Sequence, residues 1–301
     1  MKSIKELYRI GTGPSSSHTM GPRKAAEMFV TRHPDAAKFK VTLYGSLAAT
    51  GKGHMTDVAI IDTLEPTAPV EIIWQPKVFL PFHPNGMTFA AFDTDDKLIE
   101  NWTVYSIGGG ALAENSDTPS IESRDVYGMN SMTEILEWCE RSGKDIWDYL
   151  NEVWKTMIDS IRRGLEEEGV LPGPLNLRRK ASTYYIRATG YKQSLQSRGL
   201  VFAYALAVSE ENASGGKIVT APTCGSCGVM PAVLYHLYKS RDFSDIRILR
   251  ALATAGLVGN IVKFNASISG AEVGCQGEVG VACAMASAAA NQLFGGSPAQ
   301  I

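Results

Sequence analysis

Residues 113–129, AENSDTPSIESRDVYGM, separate two stretches of chain that follow different periodicities, and they mark a domain boundary. The segment is polar, holds a proline and a glycine, and shows neither strand alternation nor helical spacing. Before it, residues 39–45 (FKVTLYG), 56–63 (TDVAIIDT) and 70–80 are rich in Val, Ile, Thr and aromatic side chains and bounded by Gly or Pro, which predicts strands. Residues 88–92 and 101–107 flank the polar run 93–97 (DTDDK), the pattern of a hairpin with a longer loop. One helix is expected over 20–33, with Thr19 as N-cap and Pro22 in the first turn, where a missing N–H leaves no bond unmade. After the boundary the pattern turns helical. Ser131-Met-Thr-Glu134 is a capping box opening a helix through Ile135, Leu136, Trp138 and Cys139. Further helices are expected over 145–168, 192–209, 229–239, 243–263 and 278–293, and Ile246, Leu249, Ala253 and Leu257 recur at helical spacing. The fold class is therefore two-domain: an α+β domain over 1–112, a linker over 113–129, and an all-α domain over 130–301.

Composition limits what such a protein can do. With 301 residues, 45% hydrophobic and 20% charged, the chain can bury a sizeable core and is not a disordered polymer. A net charge of −2 offers no basic face for nucleic acid or anionic lipid. Residues 1–11 lack the apolar run of a secretory signal, and the small-residue stretch 279–290 is too short to cross a bilayer. The expectation is a soluble cytoplasmic protein with no nucleic-acid or membrane partner. The five cysteines then read as thiols or metal ligands rather than disulfides. All of them follow residue 138, whereas His18, His33, His54 and His83 precede residue 84. A shared thiol–imidazole site would have to form where the two halves meet.

Several segments carry candidate chemistry. GTGPSSSHTMGP, residues 11–22, places Ser15, Ser16, Ser17, His18 and Thr19 directly before a helix, a concentration of hydroxyls and backbone N–H groups suited to a carboxylate. It lacks the Lys-Ser/Thr ending of a phosphate-binding loop, and an elaborate helix cap is the other reading. His54 lies in GKGHMTD, residues 51–57, where Asp57 could orient the ring for base catalysis. His83 lies in the rigid turn PFHPNG, residues 81–86. His33, before Pro34, and His236, on a helix with Tyr235 and Tyr238, read as structural. Cys224-Gly-Ser-Cys227 opens a helix, a place that lowers thiol pKa values, but a lone pair also fits a plain turn. Residues 265–280, NASISGAEVGCQGEVG, surround Cys275 with glycines and with Glu272, Gln276 and Glu278, which suggests a ligand position. Cys283 and Cys139 read as helix-core thiols.

In that order, the loop 11–22, the Gly-His-Met-Thr-Asp segment, His83-Pro-Asn-Gly86, Ala221-Pro-Thr-Cys-Gly-Ser-Cys-Gly228 and Gly270-Ala-Glu-Val-Gly-Cys-Gln-Gly-Glu-Val-Gly280 resemble the iron–sulfur-dependent bacterial L-serine dehydratases of the single-chain kind. The resemblance implies an N-terminal α+β domain similar to an allosteric substrate-binding domain, and a helical catalytic domain. It implies an L-serine ammonia-lyase of amino-acid catabolism, giving pyruvate and ammonia, with a [4Fe–4S] cluster acting as Lewis acid on the β-hydroxyl. It makes His54 and His83 the catalytic pair, leaving open which is the base. It makes Ser15, Ser16, Ser17, His18 and Thr19 substrate-binding, and Cys275 a cluster ligand. It allows a homodimer. The family's other cluster cysteines belong to a segment beyond Ile301, so the expectation is a truncated chain with an incomplete, inactive cluster site. Two alternatives remain: a non-catalytic amino-acid-binding regulatory module, and a related cluster lyase acting on L-cysteine.

Overall fold

The structure is a computed structural model that describes residues 1–114 and 145–301. It divides into two compact units, Pro14–Ser123 and a second made of Met1–Gly13 with Arg124–Ile301. The expected linker beyond residue 114, the capping box at 131–134 and Cys139 lie outside the described residues.

The Pro14–Ser123 unit is built on a five-stranded sheet. Its central strand β2, Lys38–Tyr44, alternates strictly, burying Phe39, Val41 and Leu43. β2 runs parallel to β3 (Val70–Gln75) and antiparallel to β4 (Gly86–Phe92), which forms the expected hairpin with β5 (Leu98–Ser106). A short β6, Leu112–Ala113, closes the edge. Helix α1, Gly21–Arg32, carries Pro22 in its first turn and buries Ala25, Ala26 and Phe29 against the sheet. Phe29 meets Phe39, Phe89 and Trp102 there.

Two expectations fail in this unit. Residues 56–63 are not a strand but part of helix α3, Thr56–Leu64. A parallel β2–β3 pair needs a crossover on one face of the sheet, and Ala59, Ile60 and Leu64 supply a buried helical stripe that overrides β-branched propensity. The crossover also contains α2 (Gly45–Thr50) and a 3₁₀ turn over Gly51–His54. Nor does Thr19 cap α1: it lies inside a π-helical turn, Ser16–Met20, that runs directly into the helix.

Among the described residues, the other unit is mainly helical, with one two-stranded ribbon and an isolated antiparallel bridge between Val170 and Arg178. Its described helices are α4 (Asp145–Glu166), α5 (Ala181–Thr189), α6 (Gln193–Ala213), α7 (Val229–Arg241), α8 (Asp245–Asn265) and α9 (Gly270–Leu293). α4 buries Leu150, Val153, Trp154, Met157 and Ile161 at helical spacing. A Cβ on Gly164 would stand 2.2 Å from the Ala207 carbonyl oxygen, so α4 and α6 cross backbone to backbone. The first residues belong to this unit: Ile4, Leu7 and Tyr8 are buried, Tyr8 Oη donates to the Leu252 carbonyl at 2.9 Å, and β1 (Ile10–Thr12) pairs antiparallel with β7 (Lys217–Val219). α9 begins earlier than expected and kinks at Gly274, whose φ of 70° only glycine adopts freely. It is not enclosed on all sides: Ala282, Met285 and Ala289 are buried, whereas Cys283 is exposed and is not a core thiol.

Candidate active site

The loop before α1 is held by its own hydroxyls. The Ser15 carbonyl accepts the N–H groups of Thr19 and Met20, each at 3.0 Å, which makes the turn π-helical, a form found disproportionately at functional sites. Ser15 Oγ accepts the His18 N–H at 3.1 Å, and Thr19 Oγ1 accepts the Ser15 N–H while donating to the His54 carbonyl at 2.6 Å. Thr56 Oγ1, at the start of α3, donates to the His18 carbonyl. The Ser-Ser-Ser-His-Thr run is thus both a cap and a clamp: it ties the His18 turn to the His54 turn. Ser16, His18 and Thr19 are buried; Ser15 and Ser17 are half-buried.

Two imidazoles meet inside this clamp. The rings of His18 and His54 lie 4.7 Å apart at an interplanar angle of 42°. His18 bonds through both nitrogens, Nδ1 to Ser17 Oγ at 2.9 Å and Nε2 to Ser46 Oγ at 3.0 Å. Burial, reinforced by the charges of His54 and His83, lowers its pKa to about 4, so the ring is neutral at pH 7. His54 Nδ1 lies 3.1 Å from the Thr50 carbonyl, which can only accept, so this nitrogen carries the proton and neutral His54 keeps its lone pair on Nε2. His83 has the opposite arrangement. Its Nδ1 accepts the Asn85 N–H at 3.1 Å, so its proton resides on Nε2. Asp57 does not orient His54, because its carboxylate accepts the Val58 N–H instead.

Beside His54 opens a pocket of about 620 Å³, lined also by Thr50, Lys52, Gly53 and Trp74. Lys52 reaches over the Trp74 ring, 5.7 Å from its centroid. Sequence reasoning missed Ser46, Thr50, Lys52 and Trp74. The Gly51-Lys-Gly-His54 turn pointed to Lys52, but nothing local in the sequence points to Ser46 or Trp74, which reach the site through the β2–α2 connection and β3.

With this geometry established, comparison with known proteins places the chain. The family profile for the serine dehydratase beta chain matches residues 3–75, and that for the serine dehydratase alpha chain matches residues 90–301. The chain belongs to the serine dehydratase family. It is similar to L-serine dehydratase TdcG of Escherichia coli, at 38% identity over 367 aligned residues covering 100% of this chain and 80% of that protein. It is similar to L-serine dehydratase of Haemophilus influenzae at 37% identity, with 100% and 80% covered. It is similar to L-serine dehydratase of Streptomyces coelicolor at 36%, with 99% and 80% covered.

The other candidate residues of this chain lie in the helical unit. Cys275 follows the Gly274 kink and is exposed. The Glu278 carboxylate rests between two glycine backbones: a Cβ on Gly270 would approach it to 2.7 Å and one on Gly225 to 2.9 Å. The glycine-rich run 270–280 and the Cys224–Cys227 turn therefore meet around Glu278. Both turn cysteines are buried, and burial pushes Cys227 up to about 12 and Cys224 well above its ordinary value. The lowered thiol pKa suggested by the helix start is overturned, because desolvation outweighs the helix terminus. A [4Fe–4S] cluster takes several thiolates. Among the described residues no three His, Cys, Asp or Glu side chains converge as metal ligands, and Cys275 offers a single exposed thiol. These residues do not fit a complete cluster site. Among them, too, no helix is long and apolar enough to cross a membrane.

Proposed function

We propose that this chain deaminates L-serine to pyruvate and ammonia, with His54 as the base. The observation that carries the reading is the pair of opposite tautomers: an acceptor at His54 Nε2 on the wall of a pocket, and a donor at His83 Nε2. The names of the relatives, L-serine dehydratases, supply the substrate. His54 Nε2 takes the Cα proton while His83 Nε2–H hydrogen-bonds the β-hydroxyl; as the Cβ–O bond breaks, the proton carried by His54 passes to the leaving hydroxide, which departs as water and returns His54 to its neutral form. The resulting aminoacrylate tautomerises to an imine, and water hydrolyses it to pyruvate and ammonia. Lys52 pairs with the substrate carboxylate against the Trp74 wall, with the half-buried hydroxyls of Ser15 and Ser17 at the loop's surface as further partners. Neutral His18 lets a newly protonated His54 form without a second cation beside it. The [4Fe–4S] cluster, with Cys275 among its ligands, belongs to the same reading through the family resemblance, as do a cytoplasmic location and a homodimer.

The test is pyruvate release from L-serine, followed with a coupled dehydrogenase after anaerobic supply of iron and sulfide. His54→Gln is expected to lower kcat by about 100-fold or more and His83→Gln by less. Unchanged turnover in His54→Gln refutes the base assignment. Saturable L-serine binding without product would favour the regulatory module, and sulfide release from L-cysteine would favour the related lyase.

A further inference from the structure

Ser46, in the first turn of α2, makes bonds that lead to all three imidazoles of the site. Its Oγ lies 3.0 Å from His18 Nε2. Its N–H donates at 3.0 Å to the carbonyl of Pro84, the neighbour of His83. Its carbonyl accepts Thr50 Oγ1 at 3.0 Å, and the Thr50 carbonyl in turn accepts the His54 Nδ1 proton. The residue before it must be glycine. Gly45 sits at φ 49°, and a Cβ there would stand 2.6 Å from the Pro84 oxygen.

We propose that Ser46 is a positioning residue that acts through His18 to hold His54 in its Nδ1-protonated tautomer. The proposal rests on the reading of His54 as base and adds what keeps that base ready. His18 is 8% exposed and wedged between two hydroxyls, so its ring has one orientation. Its face is the wall against which His54 packs. Without the Ser46 hydroxyl, buried His18 Nε2 keeps only the Ser46 backbone beside it and loses the 3.0 Å bond that fixes the angle of the ring, so the ring turns to make better use of what remains. The His54 ring then loses its fixed wall, and its Nδ1 bond to Thr50 competes with other rotamers. The backbone links of Ser46 survive any side-chain replacement, so the hydroxyl can be tested by itself.

The experiment uses the full 301-residue chain labelled with ¹⁵N-histidine, reading tautomers from long-range ¹H–¹⁵N correlations at pH 7.5. Wild-type His54 is expected as Nδ1–H and His83 as Nε2–H. Ser46→Ala is expected to move His54 toward a mixture and to lower kcat about tenfold with KM within about twofold. Ser46→Thr keeps the hydroxyl and is expected to restore both. If Ser46→Ala does not fold, Ser46→Cys, of similar volume but a weak hydrogen-bonding partner, takes its place. An unchanged tautomer in the Ala or Cys variant overturns the role of Ser46 while leaving His54 as base; so does a Thr variant that behaves like Ala. Wild-type His54 found as Nε2–H overturns the base reading itself.

Discussion

Acid should weaken this protein through His18, and by an amount that the structure fixes. The ring is neutral and doubly hydrogen-bonded when folded, with its pKa lowered from 6.5 to about 4 by burial first and by His54 and His83 second. Above pH 6.5 neither folded nor unfolded His18 binds a proton, so stability is insensitive to pH there. Between pH 6.5 and 4 the unfolded chain takes up a proton that the folded ring refuses, and stability falls; below 4 both states are protonated and the loss levels off. The full interval corresponds to about 3 kcal/mol, of which about 2.5 kcal/mol is lost between pH 7.5 and 4.5. The assay is urea unfolding of wild type and His18→Gln at pH 7.5, 6.0 and 4.5. The variant starts lower, since Ser17 and Ser46 lose their partner, but it should lose about 2.5 kcal/mol less than wild type over this range. Other groups that titrate, including His236, lowered chiefly by its own burial, are common to both proteins and cancel in the difference. Parallel pH profiles, differing by under about 0.5 kcal/mol, would refute the reasoning.

Gly45→Ala forces a side chain into φ 49° and against the Pro84 oxygen, and is expected to lower stability by about 1–3 kcal/mol in thermal unfolding. Arg179→Met leaves the buried Glu211 with, among the described residues, only the more exposed Arg163 as an ion-pair partner and should cost about 3 kcal/mol in urea unfolding. In the native protein a disulfide reagent should label exposed Cys275 and Cys283 within minutes, and Cys224 and Cys227 only once the chain unfolds, read by mass spectrometry of peptides. Phe29→Ala removes the aromatic centre of the α1–sheet core and is expected to cost about 3–5 kcal/mol.

By itself the sequence determined the elements whose pattern is local. The strict alternation of β2, the β4–β5 hairpin around a polar loop, Pro22 in the first turn of α1 and the long apolar-striped helices α4, α7 and α8 all follow from side-chain period and turn chemistry. The family was also legible, because its motifs are short runs of neighbouring residues. What the tertiary structure decided depends on partners far along the chain. Residues 56–63 read as a strand until the parallel β2–β3 pair demands a crossover helix. Helix α5 has Lys180 where a capping side chain is usual; its first N–H groups are met by Glu210, about thirty positions away, so no local signal announced it. Cys224 and Cys227 sit at a helix start that favours thiolates, yet packing buries them and reverses the shift. The bonds by which Thr19 and Thr56 reach the backbones of His54 and His18 span more than thirty positions and have no local signature. Above all, the proton positions of His54 and His83 are set by a carbonyl and an N–H that only the folded backbone brings to each ring, and that is why a sequence can point to histidines but not assign their tautomers.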